Sequence, residues 1–237
     1  MKVCIYGAGA IGGYMAVMMK RGGIDVSLVA RGAHLGAMKA NGLTLLMGGE
    51  TITERMPATN DPQELGPQDY VIIGLKAHQA WESAEHLAPL FGPHTAVVTA
   101  QNGVPWWYFH GLGEQYAGLR LESVDPGNRQ WNAIGPERVI GCTVYPATEI
   151  TEPGVIKHIY GNQFGLGEPN RQPSARLTVL PMRSPPEASS RASMTTSATI
   201  SGSSCGAISA STRSRRSRSP RWTSSRPIPV RGCSPAT

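Results

Sequence analysis

The stretch GAGAIG at residues 7–12 constrains the fold of this chain more than any other feature. It follows the short apolar run KVCIY and opens a run of helical character, AIGGYMAVMMKR, which Gly22 and Gly23 terminate. A second apolar run, DVSLVA, begins at Asp25. A strand, a helix and a strand within about thirty residues form the βαβ unit in which a G-x-G-x-x-G sequence binds dinucleotides.

Each glycine of this motif has a physical reason in that context. Gly7 permits the tight turn, Gly9 lets the backbone approach a pyrophosphate, and Gly12 lets the helix pack closely on the strand. The free N–H groups and partial positive charge of the helix N-terminus attract the phosphates. The alternative is a glycine-rich turn without a ligand. We predict that the whole segment contacts a cofactor: Gly7, Ala8, Gly9, Ala10, Ile11 and Gly12.

Strand and helix patterns continue to alternate along the chain. The segment 42–56 predicts an inserted hairpin, and the segment 77–91 predicts a helix. A further buried strand is predicted at 70–75, and more strands are predicted at 95–100, 139–145 and 155–160. Alternation of this kind predicts an α/β fold of the Rossmann type, in which a doubly wound, mostly parallel sheet carries helices on both faces.

The end of the second predicted strand distinguishes between nicotinamide cofactors. Sites for NAD usually place Asp or Glu there, to bond the ribose 2′-hydroxyl. This chain has Ala30, Arg31 and Gly32 instead, and a guanidinium can pair with a 2′-phosphate through two hydrogen bonds. We therefore predict NADPH as the cofactor. The alternative is that Arg31 is an ordinary surface residue.

Two polar residues follow later strands at the sheet edge where open α/β folds bind ligands. Lys76 comes directly after YVIIGL, and Asn102 comes shortly after TAVVTA. The Asn102 amide can both donate and accept hydrogen bonds, although either residue could serve only a loop and Asn-Gly is a common turn pair. The six histidines and four cysteines show no metal-ligand spacing, so we expect no metal site.

The net charge of +6 is concentrated after Leu180. Nine arginines and one acidic residue give that segment +8, so residues 1–180 carry −2. Its composition, as in RSRRSRSPRWTSSR at 213–226, cannot bury enough apolar area to offset the entropy of ordering, and predicts disorder. The alternative is an RNA-binding tail, which would neutralise phosphates; we expect no nucleic-acid partner.

The sequence also carries a prediction about location. The first residues lack the long apolar core of a signal peptide, because glycine interrupts the run at once. No run of eighteen apolar residues occurs, which argues against a membrane span. We expect a cytoplasmic protein with no membrane partner.

Taken together, several stretches resemble the ketopantoate reductase (2-dehydropantoate 2-reductase) family over about residues 1–180. The matching pieces are KVCIYGAGAIGG, Arg31, LKAHQ around Lys76, AQNGV around Asn102, GLTL followed by PATND, and PGVIKHIYGNQFGLGEP at 153–169. The resemblance implies reduction of ketopantoate, a small 2-oxo acid, to pantoate with NADPH, in pantothenate and coenzyme A biosynthesis. It implies a Rossmann domain followed by an all-helical domain, with the active site between them. For the full-length form it is also compatible with a homodimer.

The resemblance also implies roles for single residues. The three motif glycines and Arg31 would hold the cofactor. Lys76 and Asn102 would lie beside the nicotinamide and the substrate, and Ala147 would touch the cofactor. The helical domain should open with a motif like W-x-K-L-x-x-N-x-x-x-N-P, whose lysine is the catalytic acid. No such motif exists in this frame, so we assign no catalytic residue.

The missing motif can be read one frame away. The codons of residues 199–213 allow D-I-W-I-K-L-W-G-N-L-C-F-N-P, and the genetic code forces aspartates across Met194-Thr195 and Trp222-Thr223. We therefore predict a frameshift near Leu180. The predicted domains are an NADP-binding Rossmann domain at 1–168, a linker and helix start at 169–180, and an out-of-frame tail at 181–237.

Two functions from different classes remain open at this point. The first is NADPH-dependent reduction of ketopantoate, with the chain as given inactive because its catalytic lysine is missing. The second is a catalytically dead NADP-binding Rossmann domain. A reductase of another small 2-oxo acid is a further alternative.

Overall fold

The computed structural model describes residues 1–179, so the predicted out-of-frame tail lies outside the described residues. Within that range the chain forms α-helices and 3₁₀ segments around two sheets. The α-helices are α1 (Ala10–Arg21), α2 (Gly32–Asn41), α3 (Ala77–Ala80), α4 (Arg129–Ile134) and α5 (Ala175–Val179).

Seven strands form the main sheet, numbered here in chain order across both sheets. In spatial order they are β11 (Phe164–Gly167), β8 (Val139–Val144), β7 (Phe91–Ala100), β6 (Gln68–Ile73), β1 (Lys2–Tyr6), β2 (Asp25–Val29) and β5 (Ala58–Thr59). All neighbours are parallel except β11, which is antiparallel to β8. The order from β5 to β8 is that of a Rossmann fold. The prediction of a doubly wound, mostly parallel sheet is therefore confirmed.

A second sheet has four strands, in the order β4 (Glu50–Glu54), β3 (Leu43–Met47), β10 (Val155–Tyr160) and β9 (Ala147–Glu152). The β3–β4 pair is the hairpin that the sequence predicts, and Gly48 and Gly49 both have positive φ in its two-residue turn, as such turns favour. The sequence does not predict that β10 pairs with β3 in parallel.

Helix α1 lies in the core shared by the two sheets. Its Gly13 faces the second sheet, where an added Cβ would lie 2.1 Å from the Ile156 Cδ1 atom. Alternate residues of β1 pack on opposite faces of the main sheet, with Val3 and Ile5 on the side of α1 and Cys4 and Tyr6 in the other core cluster. Burial on both faces explains why these strands read as continuous apolar runs.

The helix predicted over 77–91 is wrong in type and in its end. After the single turn of α3, the segment Trp81–Leu90 forms a 3₁₀ helix, and Phe91 already begins β7. Pro89 lies inside this segment; it has no N–H to donate to an α-helical hydrogen bond and its ring crowds the preceding turn. The segment still buries Leu87 and Leu90 against the main sheet.

The described residues contain no helix long and apolar enough to cross a membrane.

Candidate functional site

A cleft of about 990 Å³ opens beside the carboxyl ends of β1, β2 and β6. The strand order reverses between β1 and β6, and this is the point where open α/β sheets bind ligands. The cleft brings together seven of the ten residues predicted to bind: Gly7, Ala8, Gly9, Ala10, Ile11, Arg31 and Lys76. Gly12, Asn102 and Ala147 do not line it.

The three motif glycines are required for different reasons. Gly7 has φ +93°, and an added Cβ would lie 2.6 Å from Leu75 Cδ2. At Gly12 an added Cβ would lie 2.3 Å from the Gly7 carbonyl oxygen. At Gly9 an added Cβ would meet nothing within 4 Å. The protein itself therefore demands glycine at 7 and 12, whereas Gly9 leaves open space on the cleft, as close approach of a ligand to the backbone requires.

Gly74 is a further glycine that the packing of this region requires, and the sequence alone does not single it out. An added Cβ at Gly74 would lie 2.7 Å from the Gly7 carbonyl oxygen and 3.1 Å from the Gly12 Cα. Its N–H donates to the Tyr6 carbonyl at 2.9 Å. The glycine at the end of the apolar run 70–75 was the available signal, but only the folded arrangement shows what it faces.

The glycine loop is held from two sides. The N–H groups of Gly7 and Ala8 both donate to the Val29 carbonyl, at 3.0 and 3.1 Å. The Ala8 carbonyl accepts from Nε2 of His34 at 2.9 Å. The first turn of α1 carries no acidic residue, and its N–H groups lack intrahelical acceptors. The loop therefore offers backbone donors to an anion in the cleft.

Arg31 is the exposed residue that precedes α2, at the end of β2. Among the described residues no carboxylate lies within ion-pair distance of its guanidinium. Burial raises the pKa of the nearby Tyr6 hydroxyl, and the positive charge of Arg31 acts in the opposite direction. Asp61 also lines the cleft, but its carboxylate accepts from the Gln63 N–H at 3.0 Å and so caps a short helical turn.

Lys76 is exposed and precedes α3 on the opposite side of the cleft from Arg31 in the strand order. The loop that carries it is fixed by Gln101, whose Nε2 donates to the Leu75 carbonyl at 2.8 Å. Arg31 and Lys76 thus place two cationic side chains on the cleft, beside the neutral wall of the glycine loop.

Asn102 lies outside the cleft wall and is bonded to the neighbouring strand. Its Nδ2 donates to the Val144 carbonyl, and its Oδ1 accepts from the Val144 N–H, both at 2.9 Å. An amide has a second N–H and a second lone pair, so these bonds leave capacity for a ligand. Ala147 begins β9, and its neighbour Thr148 lines the cleft with a buried hydroxyl that has no partner among the described residues.

The geometry fits a dinucleotide. The cleft is large enough for a ligand of dinucleotide size. Gly9 leaves room for phosphates, and Arg31 supplies a cation that has no ion-pair partner among the described residues. Over residues 1–179 no group of three or more His, Cys, Asp or Glu is arranged to hold a metal ion.

Residues 3–171 match the family model described as ketopantoate reductase PanE/ApbA. The chain belongs to this family. A 2-dehydropantoate 2-reductase from Mesorhizobium japonicum is 54% identical over 181 residues, which are 76% of this chain and 56% of that protein. The chain therefore spans little more than half the length of this relative.

Solved structures agree with the family assignment. A putative ketopantoate reductase from Ralstonia solanacearum is 43% identical, with a TM-score of 0.71 over 74% of this chain and 55% of that one. A PanE/ApbA family ketopantoate reductase from Ralstonia eutropha is 28% identical, with a TM-score of 0.57 over 70% of this chain and 49% of that one. The family resemblance stated from the sequence is thus confirmed.

Proposed function

We propose that this chain is the NADPH-binding part of a 2-dehydropantoate 2-reductase, which reduces ketopantoate to pantoate in pantothenate biosynthesis. The observation that carries the proposal is the cleft at the strand-order reversal. It is lined by an unobstructed Gly9 and by Arg31, which has no ion-pair partner among the described residues. The similarity to the 2-dehydropantoate 2-reductase from Mesorhizobium japonicum supports the same substrate. We also propose that the protein is cytoplasmic, as the sequence predicts.

Different residues of the cleft would contact different parts of the cofactor and the substrate. The N–H groups of residues 9–11 face the phosphates, and Arg31 pairs with the 2′-phosphate of the adenosine ribose. Lys76 and Asn102 lie toward the nicotinamide and the 2-oxo acid, and Ala147 with Thr148 bounds the cofactor from the second sheet. When bound, NADPH supplies the hydride, and the protein supplies orientation and electrostatics.

The preference for NADPH over NADH rests on Arg31. In the Arg31→Gln variant we expect the NADPH dissociation constant to rise about 10- to 100-fold, the size of a lost charge-assisted hydrogen bond, with the NADH constant unchanged. Arg21→Gln removes an equal charge from the exposed end of α1, outside the cleft, and serves as the matched control. Equal weakening of both nucleotides, or no change in either, would contradict the assignment of Arg31.

Turnover by the chain as given is a separate matter. We propose that it is inactive, because the lysine expected as general acid and the asparagines expected to bind substrate are missing from residues 181–237. Loss of a general acid alone costs about 10²–10⁴ in rate. The same missing residues would determine which small 2-oxo acid is bound. Another 2-oxo acid is therefore the alternative substrate.

A further inference from the structure

His34 joins the glycine loop to a distant turn of the second sheet. Its Nε2 lies 2.9 Å from the Ala8 carbonyl oxygen. The Gly154 N–H, in the turn between β9 and β10, donates to its Nδ1 at 2.8 Å. Gly154 has φ +80°, and an added Cβ there would lie 2.9 Å from the Ala37 Cβ of α2. The turn is therefore seated directly on the helix that carries His34.

The two bonds determine the protonation of the imidazole. A carbonyl oxygen can only accept, so Nε2 must carry the proton; a backbone N–H can only donate, so Nδ1 must be unprotonated. His34 is therefore a neutral ring with its proton on Nε2. Burial lowers its pKa, and the bond to the Ala8 carbonyl acts in the opposite direction. No charged side chain of the described residues contributes to that shift.

The bond to Ala8 sets the orientation of the next peptide group. The Ala8–Gly9 peptide is trans, like every peptide bond of residues 1–179, and in a planar trans peptide the carbonyl and the following N–H point in opposite directions. Holding the Ala8 oxygen toward His34 therefore directs the Gly9 N–H away from His34. No hydrogen bond within the described chain uses that N–H.

Without the imidazole, the Ala8–Gly9 peptide would lose the hydrogen bond that fixes its orientation. Rotation of the Ala8–Gly9 peptide changes ψ of Ala8 and φ of Gly9, and glycine accepts positive φ at little cost. An added Cβ at Gly9 would meet nothing within 4 Å, so no neighbouring side chain packs against that side of its Cα. A rotated peptide would present a carbonyl oxygen, instead of an N–H, to an anion.

We propose that His34 is a positioning residue for the phosphates of the dinucleotide: it holds the Ala8–Gly9 peptide with its N–H available to the anion, and Gly154 holds the ring. This rests on the proposed function, because it assumes that the cleft binds a dinucleotide. His34 contributes orientation of the loop, in addition to the charge supplied by Arg31.

The test compares three variants by NADPH titration and thermal unfolding. His34→Leu keeps much of the volume and removes both hydrogen bonds; we expect a 5- to 10-fold higher dissociation constant, about the worth of one oriented hydrogen bond. His34→Gln can donate through Nε2 and accept through Oε1, and we expect affinity within about twofold of the parent chain. The control is His78→Leu, since His78 is exposed and does not line the cleft.

A second readout does not depend on affinity. ¹⁵N NMR of the parent chain should show a protonated Nε2 and an unprotonated Nδ1 at His34, and this holds even where a variant fails to fold. The opposite tautomer, parental affinity of His34→Leu, or failure of a folded His34→Gln to recover affinity would each overturn the positioning role. Absence of NADPH binding by the parent chain would overturn the proposed function together with it.

Discussion

The side-chain amide of Asn102 bonds both polar backbone groups of Val144, with a donor–acceptor distance of 2.9 Å in each bond. Asn102 follows β7 and Val144 ends β8, which are neighbouring parallel strands. Asn102, which is predicted to contact the substrate, thus also links the ends of β7 and β8.

Replacing this amide tests its structural role. Asn102→Ala removes both bonds, and we expect the free energy of unfolding to fall by about 1–2 kcal/mol. Asn102→Asp can still accept from the Val144 N–H but places a carboxylate oxygen against the Val144 carbonyl, so it should not restore stability. Asn132→Ala, at an exposed position of α4, is the control. Chemical denaturation measures all three, and parental stability of Asn102→Ala would count against the structural role.

Substitutions at two motif glycines should affect different properties: Gly12→Ala the stability of the fold, and Gly9→Ala the affinity for NADPH. Gly12→Ala forces a Cβ to 2.3 Å from the Gly7 carbonyl oxygen, and we expect a loss of about 1–3 kcal/mol or more in the free energy of unfolding. Gly9→Ala meets no protein atom, so stability should change by less than about 1 kcal/mol, while the NADPH dissociation constant should rise about tenfold or more. Both are read by thermal unfolding and NADPH titration. A Gly9→Ala variant with parental affinity would refute the close approach of phosphates at Gly9.

Glu168 and Arg176 fasten the last described helix to the main sheet. The Glu168 side chain is 5% exposed and accepts from Arg176 Nε at 2.7 Å and from Ser174. Arg176 also donates to the Glu137 and Val139 carbonyls. Burial would raise the pKa of Glu168, but the hydrogen bonds from Arg176 and Ser174 outweigh it and leave the pKa below its ordinary value of 4.5.

The sign of this shift sets a pH dependence. The carboxylate stabilises the fold above its unfolded pKa, and that contribution is lost as the pH falls through the lower folded-state pKa. Glu168→Gln should cost about 1.5–3 kcal/mol at neutral pH and should flatten the fall in stability below pH 4.5. Glu85→Gln breaks the exposed pair with Arg129, 68% and 37% exposed, and should cost less than about 1 kcal/mol. Equal costs for the two variants in urea denaturation would contradict the account.

The sequence predicts the parts of the site that lie close together along the chain. The βαβ unit, its three glycines and Arg31 fall within residues 2–31. Their spacing along the chain is enough to predict a dinucleotide site. Helix α2 was missed, because its run GAHLGAMKAN combines two glycines with a weak apolar pattern. His34 and Gly74 were missed for another reason: each contacts a residue distant in sequence, as in the His34–Gly154 bond across 120 positions. Thr148 was missed because only the fold brings the second sheet to the cleft.

The frameshift prediction concerns the coding DNA from the codon of Pro169 through that of Thr237. We expect resequencing to find one base gained or lost near Leu180, and the frame-restored chain to reduce ketopantoate with NADPH. The chain as given should show no such turnover, because the general acid is missing. Its control is the frame-restored chain with the lysine that straddles the codons of Ser203 and Ser204 replaced by alanine. Turnover by the 237-residue chain itself would refute the inactivity we propose.

The central claim is that the cleft beside β1, β2 and β6 binds NADPH. Isothermal titration of the 237-residue chain with NADPH, and separately with NADH, tests it most directly, since binding needs no catalytic lysine. We predict saturable binding of one NADPH per chain, with a dissociation constant at least about tenfold lower than that for NADH, the difference expected from one charge-assisted contact to the 2′-phosphate. No heat of binding with either nucleotide, from a chain that unfolds cooperatively, would contradict the claim.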